Sequence, residues 1–154
     1  SYIARKWKHI PFFVSVEPYS ANCLYESIKT GYRVTVENDK KTNMAGLNCG
    51  SVSTIAWKIL KNGLSGSLSI SEKLSEKAMR ELVFKTQSDL KIMSGESGAA
   101  GLAGLIGLCN TDKFKNFKNK IRLNSMSTVL VINTEGVTDP LNFQKVVGDN
   151  DTKQ

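Results

Sequence analysis

The sequence predicts an α/β fold: three layers, with a mostly parallel sheet flanked by helices. Three observations predict it. Strand-like and helix-like segments alternate along the chain, as they do when parallel strands are joined by helical crossovers. Residues 128–132 (TVLVI) are apolar on both faces, as a central parallel strand is. Polar stretches follow the strand-like segments at Glu17-Pro18, 94–98 and 133–139, the carboxyl ends where open α/β sheets hold ligands.

The elements follow in order. FFVSVEP (12–18) is β-rich and ends at Pro18. SANCLYESIKTG (20–31) is a helix with Ser20 as N-cap, Gly31 as its stop, and Leu24 and Ile28 on one face. RVTVEND (33–39) alternates like a short strand. TNMAGLNCGSVSTIAWKILKNG (42–63) is a loop entering an apolar helix through Ile55, Ile59 and Leu60, closed by Asn62-Gly63. Residues 65–84 read as a strand and then a helix opened near Ser71. Residues 89–108 repeat the plan of strand, polar loop and helix. KFKNFKNKIR (113–122) reads as an amphipathic helix that buries Phe114, Phe117 and Ile121 and solvates its lysines. The strand at 128–132, a polar loop and a short helix complete the chain.

Composition narrows the function classes. The 154 residues are 40% hydrophobic and 23% charged, which suits one folded domain. No apolar run reaches the ~18 to 20 residues of a membrane span. The basic start SYIARKWKHIPFF leads into no long apolar segment, so it does not read as a signal peptide. The net charge of +7 permits polyanion binding, but no nucleic-acid module is recognisable. Cys23, Cys49 and Cys109 form no C-x-x-C pair, and with His9 as the single histidine a Cys/His zinc site is not expected. His9 reads as a surface residue and Cys109 as core.

The stretch IMSGESGAAGLAGLIGL (92–108) carries glycines at 95, 98, 101, 104 and 107. Gly95 and Gly98 suit a tight turn with close approach of a ligand, beside backbone N–H groups at a helix start that favour anions. Gly101, Gly104 and Gly107 form a small-residue strip for close helix packing. The stretch is not a P-loop, a G-x-G-x-x-G fingerprint or a G-x-S-x-G elbow.

Four blocks, EPYSANCLYESIKTG, TNMAGLNCG with the downstream AWKIL, IMSGESGAAGLAGL, and VLVINTEGVTDP, occur in the order found in one family. Across residues 15–146 the chain resembles the C-terminal part of the diaminopropionate ammonia-lyase family, within the fold-type-II (tryptophan synthase β-like) pyridoxal-phosphate enzymes. The resemblance implies the C-terminal half of that fold's large domain. It implies pyridoxal 5'-phosphate as cofactor and an α,β-elimination that turns 2,3-diaminopropionate into pyruvate and two ammonia. The cofactor would lie against Ser94, Gly95, Glu96, Ser97 and Gly98. Its ring nitrogen would meet Asn133 or Thr134, where relatives place a serine or threonine hydroxyl. Met44, Ala45 and Gly46 would belong to the loop that closes the substrate site. Glu135 reads as a solvated carboxylate. Cys23 and Cys49 fall in blocks where relatives also carry cysteines. Two readings stay open for them, a disulfide or two buried thiols in a reducing cytoplasm.

The family's cofactor-binding lysine and phosphate-cradling glycine loop lie upstream of VSVEP in relatives. None of Lys58, Lys61 and Lys91 stands in a matching context. Residues 1–154 are therefore expected to be a partial domain whose upstream part is missing, with no catalytic residue of their own. The chain begins with Ser1, which suggests processing or truncation. The whole protein would be a cytoplasmic homodimer acting on a small amino acid, with no nucleic-acid or membrane partner. Two alternatives stand beside this reading: a truncated, non-catalytic chain acting through a partner, and another amino-acid deaminase of the same fold type.

Overall fold

The computed structural model describes residues 2–37, 41–84 and 91–148. Its sheet is parallel, as expected. Strand β1 (Val14–Pro18) pairs with β2 (Gly66–Ile70) in the register Val14↔Gly66 to Pro18↔Ile70. Between them lie α2 (Cys23–Thr30) and α3 (Thr54–Gly63), preceded by a short α1 (Tyr2–Lys6). After β2 come α4 (Glu72–Phe84), α5 (Glu96–Asn110), α6 (Lys115–Lys120) and α7 (Pro140–Val147).

Side-chain alternation sorts the layers. Val16 and Leu68 face α5, close enough that a Cβ at Gly104 would sit 2.6 Å from a Val16 methyl. Ser15 and Glu17 point the other way, toward α2, and the Ser15 and Ser67 hydroxyls pair there at 2.7 Å. The principal core joins Met44, Ile70, Met79, Val83 and the alanines of α5 with Val147 of α7. A second cluster joins Leu68, Leu108 and Ile121, with Phe114 and Phe117 packed on it, so the amphipathic reading of 113–122 holds.

Several expectations need correction. Ser20 does not cap α2; its hydroxyl is buried with no partner among the described residues. The carboxylate of Glu17 caps that helix instead, accepting from Leu24 N–H at 2.9 Å and Tyr25 N–H at 2.7 Å. The far end is as expected: Gly31 takes φ +83° and donates its N–H to the Ser27 carbonyl. Residues 33–37 make only an isolated antiparallel bridge, Thr35↔Ser51; residues 38 and 39 of that predicted strand lie outside the described residues. Of the strand predicted before Ser94, residues 89 and 90 lie outside the described residues, and 91–93 form none.

The predicted central strand at 128–132 pairs with no strand among the described residues. Leu130 is 67% exposed and Ile132 65%. Its apolar pattern is that of a strand covered on both sides, but β1 and β2 pair with each other and leave it without a ladder. α3 likewise buries no residue, and Ile55 lies exposed on it. Cys109, expected in the core, is exposed at the end of α5.

Candidate functional site

Three segments far apart in sequence meet at the N-terminus of α5. Gly95 is the N-cap of that helix, in extended conformation, and offers no side-chain cap. Glu135 fills the role. Its carboxylate accepts the Ser97 N–H at 3.1 Å and the Thr138 hydroxyl at 2.5 Å, while its own carbonyl accepts the Gly95 N–H at 3.3 Å. Partial burial works against ionisation of Glu135. Hydrogen bonds from Thr138, from the Ser97 side chain and from the Ser97 and Gly98 backbone outweigh it, so its pKa falls below the usual carboxylate value. This corrects two expectations. Glu135 is not a solvated bystander, and the N–H of Ser97 at the start of α5 is bonded to an internal carboxylate rather than free for an anion.

Ser94 is fully buried, and its single hydroxyl proton is shared between the Gly95 carbonyl at 2.9 Å and Asn133 Oδ1 at 3.1 Å. The Glu135 N–H also reaches Asn133 Oδ1, at 3.2 Å. Two donors therefore hold the oxygen end of the Asn133 amide. The amide NH2 is left as the end available to a ligand, on an exposed residue. Thr134 is exposed beside it. Glu96 is buried and turned inward: its carbonyl accepts the Ser75 hydroxyl at 2.7 Å, and its carboxylate is hydrogen-bonded by Asn142.

The loop that follows residue 41 meets the same helix start. Gly46 donates its N–H to Ser97 Oγ at 3.0 Å. Met44 is fully buried in the principal core and anchors the loop, while Ala45 and Gly46 are exposed. The structure thus brings the segments 44–46, 94–98 and 133–134 together. The sequence reading did not foresee that Ser94, Glu96 and Ser97 spend their polar groups within the protein. It also missed Thr42 and Glu72, which meet at 2.7 Å behind the loop. An acidic residue opening α4 was the available signal.

Cys23 and Cys49 are free thiols, the first buried and the second exposed, so the expectation of two buried thiols fails at Cys49. Burial first, then the Glu17 carboxylate and Cys49, push the Cys23 thiol up to about 11. It stays protonated at neutral pH and is no nucleophile. A cleft lined by Leu68, Leu74, Lys77 and Phe114 lies toward the other end of α5 and takes no part in this cluster.

Comparison with known proteins gives the cluster a context. Residues 1–135 match the family described as "Pyridoxal-phosphate dependent enzyme". The chain belongs to that family. It is 35% identical over 149 residues to the diaminopropionate ammonia-lyase of Salmonella typhimurium, covering 95% of this chain and 37% of that protein. It superposes on the holo diaminopropionate ammonia lyase of Escherichia coli with a TM-score of 0.78 at 34% identity, over 90% of this chain and 34% of that one. A threonine deaminase from Solanum lycopersicum, at 20% identity and a TM-score of 0.69, shares the fold. The chain therefore spans about a third of the length of these relatives.

The donor set fits one edge of the family's cofactor. A pyridine nitrogen without a proton needs a donor, and the Asn133 amide offers one whose oxygen end is already held. The space beside Gly95 and Gly98 is filled by Asn133 and Glu135, so these glycines serve approach of the chain to itself. The Ser97 N–H is bonded to Glu135 and offers a phosphate nothing.

Proposed function

We propose that this chain is the C-terminal part of a pyridoxal-phosphate-dependent ammonia-lyase that converts 2,3-diaminopropionate into pyruvate and two ammonia. The observation that carries the reading is the meeting of residues 44–46, 94–98 and 133–135 through direct hydrogen bonds. Identity of 35% to a diaminopropionate ammonia-lyase supports the substrate.

The bound cofactor would act as the electron sink for loss of the α-proton and the β-amine. The residues of this chain would hold and orient it. Asn133 Nδ2 would donate to the ring nitrogen, with Thr134 Oγ beside it. Residues 94–98 would form a rigid wall next to the ring, their backbone fixed by Ser94, Glu135 and Asn142. Ala45 and Gly46 would border the substrate, held at their distance from the wall by the Gly46–Ser97 hydrogen bond. The lysine and phosphate loop that the reaction needs would come from upstream sequence. By the same resemblance the parent protein would be a cytoplasmic homodimer. No helix among the described residues is long and apolar enough to cross a membrane.

The test starts with the denatured mass of the native protein. A mass more than about twice that of this 16.9 kDa chain, with pyruvate and ammonia released from 2,3-diaminopropionate faster than from serine or threonine, is the expected result. Faster release from serine or threonine would turn the reading to another deaminase of the fold. A mass near 16.9 kDa with no turnover would favour a non-catalytic chain working through a partner.

A further inference from the structure

The loop that carries Ala45 and Gly46 has no regular secondary structure apart from a single 3-10 turn at Ala45–Leu47, yet it is fastened within that turn and again just before it. On one side is the Gly46–Ser97 hydrogen bond already described. On the other, α4 presents two carboxylates. The Thr42 hydroxyl donates to Glu72 Oε1 at 2.7 Å, and the Asn43 N–H donates to Glu72 Oε2 at 3.2 Å. The Asn43 side-chain NH2 reaches Glu76 Oε1 at 3.4 Å. Thr42 Oγ1 also accepts the Met44 N–H at 3.1 Å, which turns the chain so that Met44 enters the core.

We propose that Glu72 is a positioning residue for the substrate-site loop, acting through Thr42 and Asn43 to set where Ala45 and Gly46 stand against residues 94–98. The proposal rests on the lyase reading for what the loop borders, and on this structure for the latch itself. Both oxygens of Glu72 are engaged by consecutive residues of the loop, so the grip fixes orientation as well as distance. Glu72 sits in the first turn of α4, where the helix dipole favours a carboxylate. α4 packs along α5, so latch and wall belong to one rigid pair of helices.

The experiment uses the native, cofactor-loaded protein with Glu72→Gln, Thr42→Val and Thr42→Ser. Glutamine cannot accept at both positions, and valine keeps the shape of threonine without its hydroxyl. Both variants should speed hydrogen exchange at the Asn43 and Gly46 amides about tenfold and raise KM by a similar factor, since a charge-assisted bond is lost. Turnover number and cofactor affinity should stay within about twofold. Thr42→Ser, which keeps the hydroxyl, should restore exchange and KM together. Unchanged exchange would overturn the proposal, as would faster exchange with an unmoved KM, or a parallel fall of kcat, cofactor affinity and melting temperature. A native protein that binds cofactor but turns over no amino acid would overturn the lyase reading alone. The exchange rates and amino-acid binding, read from cofactor absorbance, would then decide the latch.

Discussion

Glu135 stands against Gly95 and Gly98 because neither position carries a side chain. A Cβ at Gly95 would sit 2.9 Å from Glu135 Cδ, and one at Gly98 would meet Asn133 Oδ1 and lie 2.6 Å from the Glu135 carbonyl. Gly98→Ala should therefore push the loop at 133–135 off the helix start and destabilise the fold by about 1–3 kcal/mol, measured by denaturant unfolding. In the native protein the same change should shift cofactor absorbance, because Asn133 moves with the loop. Glu135 also gives the site an acid limit. Its folded-state pKa lies below the unfolded value, so its contribution is present above the unfolded value and is lost as pH falls through the folded one. Glu17 has the opposite sign: burial raises its pKa, and its backbone and Cys23 hydrogen bonds only partly offset that. The variant Glu135→Gln should lower the melting temperature near neutral pH, and its deficit against wild type should shrink between about pH 6 and about pH 3. A deficit constant across that range would remove the ionised carboxylate from the argument.

The helix α5 carries this logic along its length. Gly101, Gly104 and Gly107 meet Val131, Val16 and Leu74 respectively, so one small-residue strip lets the helix lie against the 128–132 segment, the sheet and α4. Alanine at Gly104 would place a methyl 2.6 Å from Val16 Cγ2 and should cost about 1–3 kcal/mol despite alanine's better helix propensity. Alanine at Gly63, where nothing lies within 4 Å, should instead stabilise by about 0.5–1 kcal/mol. Thermal unfolding of the two variants checks the opposite signs. This strip was readable in the sequence because its spacing is local and its cause is steric. The parallel character of the sheet was readable too, since helical segments alternate with the β-rich runs, whereas the partner of β1 was not. Other features were hidden because their partners are distant. Glu17 as the cap of α2 depends on how a strand end meets the next helix, and a Ser20 nearer in sequence gave a false cap. Glu135 as the cap of α5 depends on a contact 38 residues away. The run at 128–132 is apolar on both faces yet has no strand to pair with among the described residues, which a sequence pattern cannot register.

For the molecule as a whole, the exposed apolar residues are the unresolved force balance. Leu130 and Ile132 are 67% and 65% exposed, and Ile55 on α3 is 80% exposed. Exposed apolar surface joined to unpaired backbone invites another segment to cover it. In the proposed parent, that cover is further polypeptide of the same chain, consistent with a match over about a third of each relative's length. Burying Leu130 and Ile132 there would contribute about 1.5–3 kcal/mol for each side chain. Backbone amides at 129–132 should then exchange quickly in the isolated 154-residue chain and be protected at least about a hundredfold in the native protein, where a ladder forms. The isolated chain should also bind a hydrophobic dye that the native protein excludes. Equal protection in both would mean that residues 129–132 find their partner within these 154 residues, and the case for a partial domain would then lose its physical support.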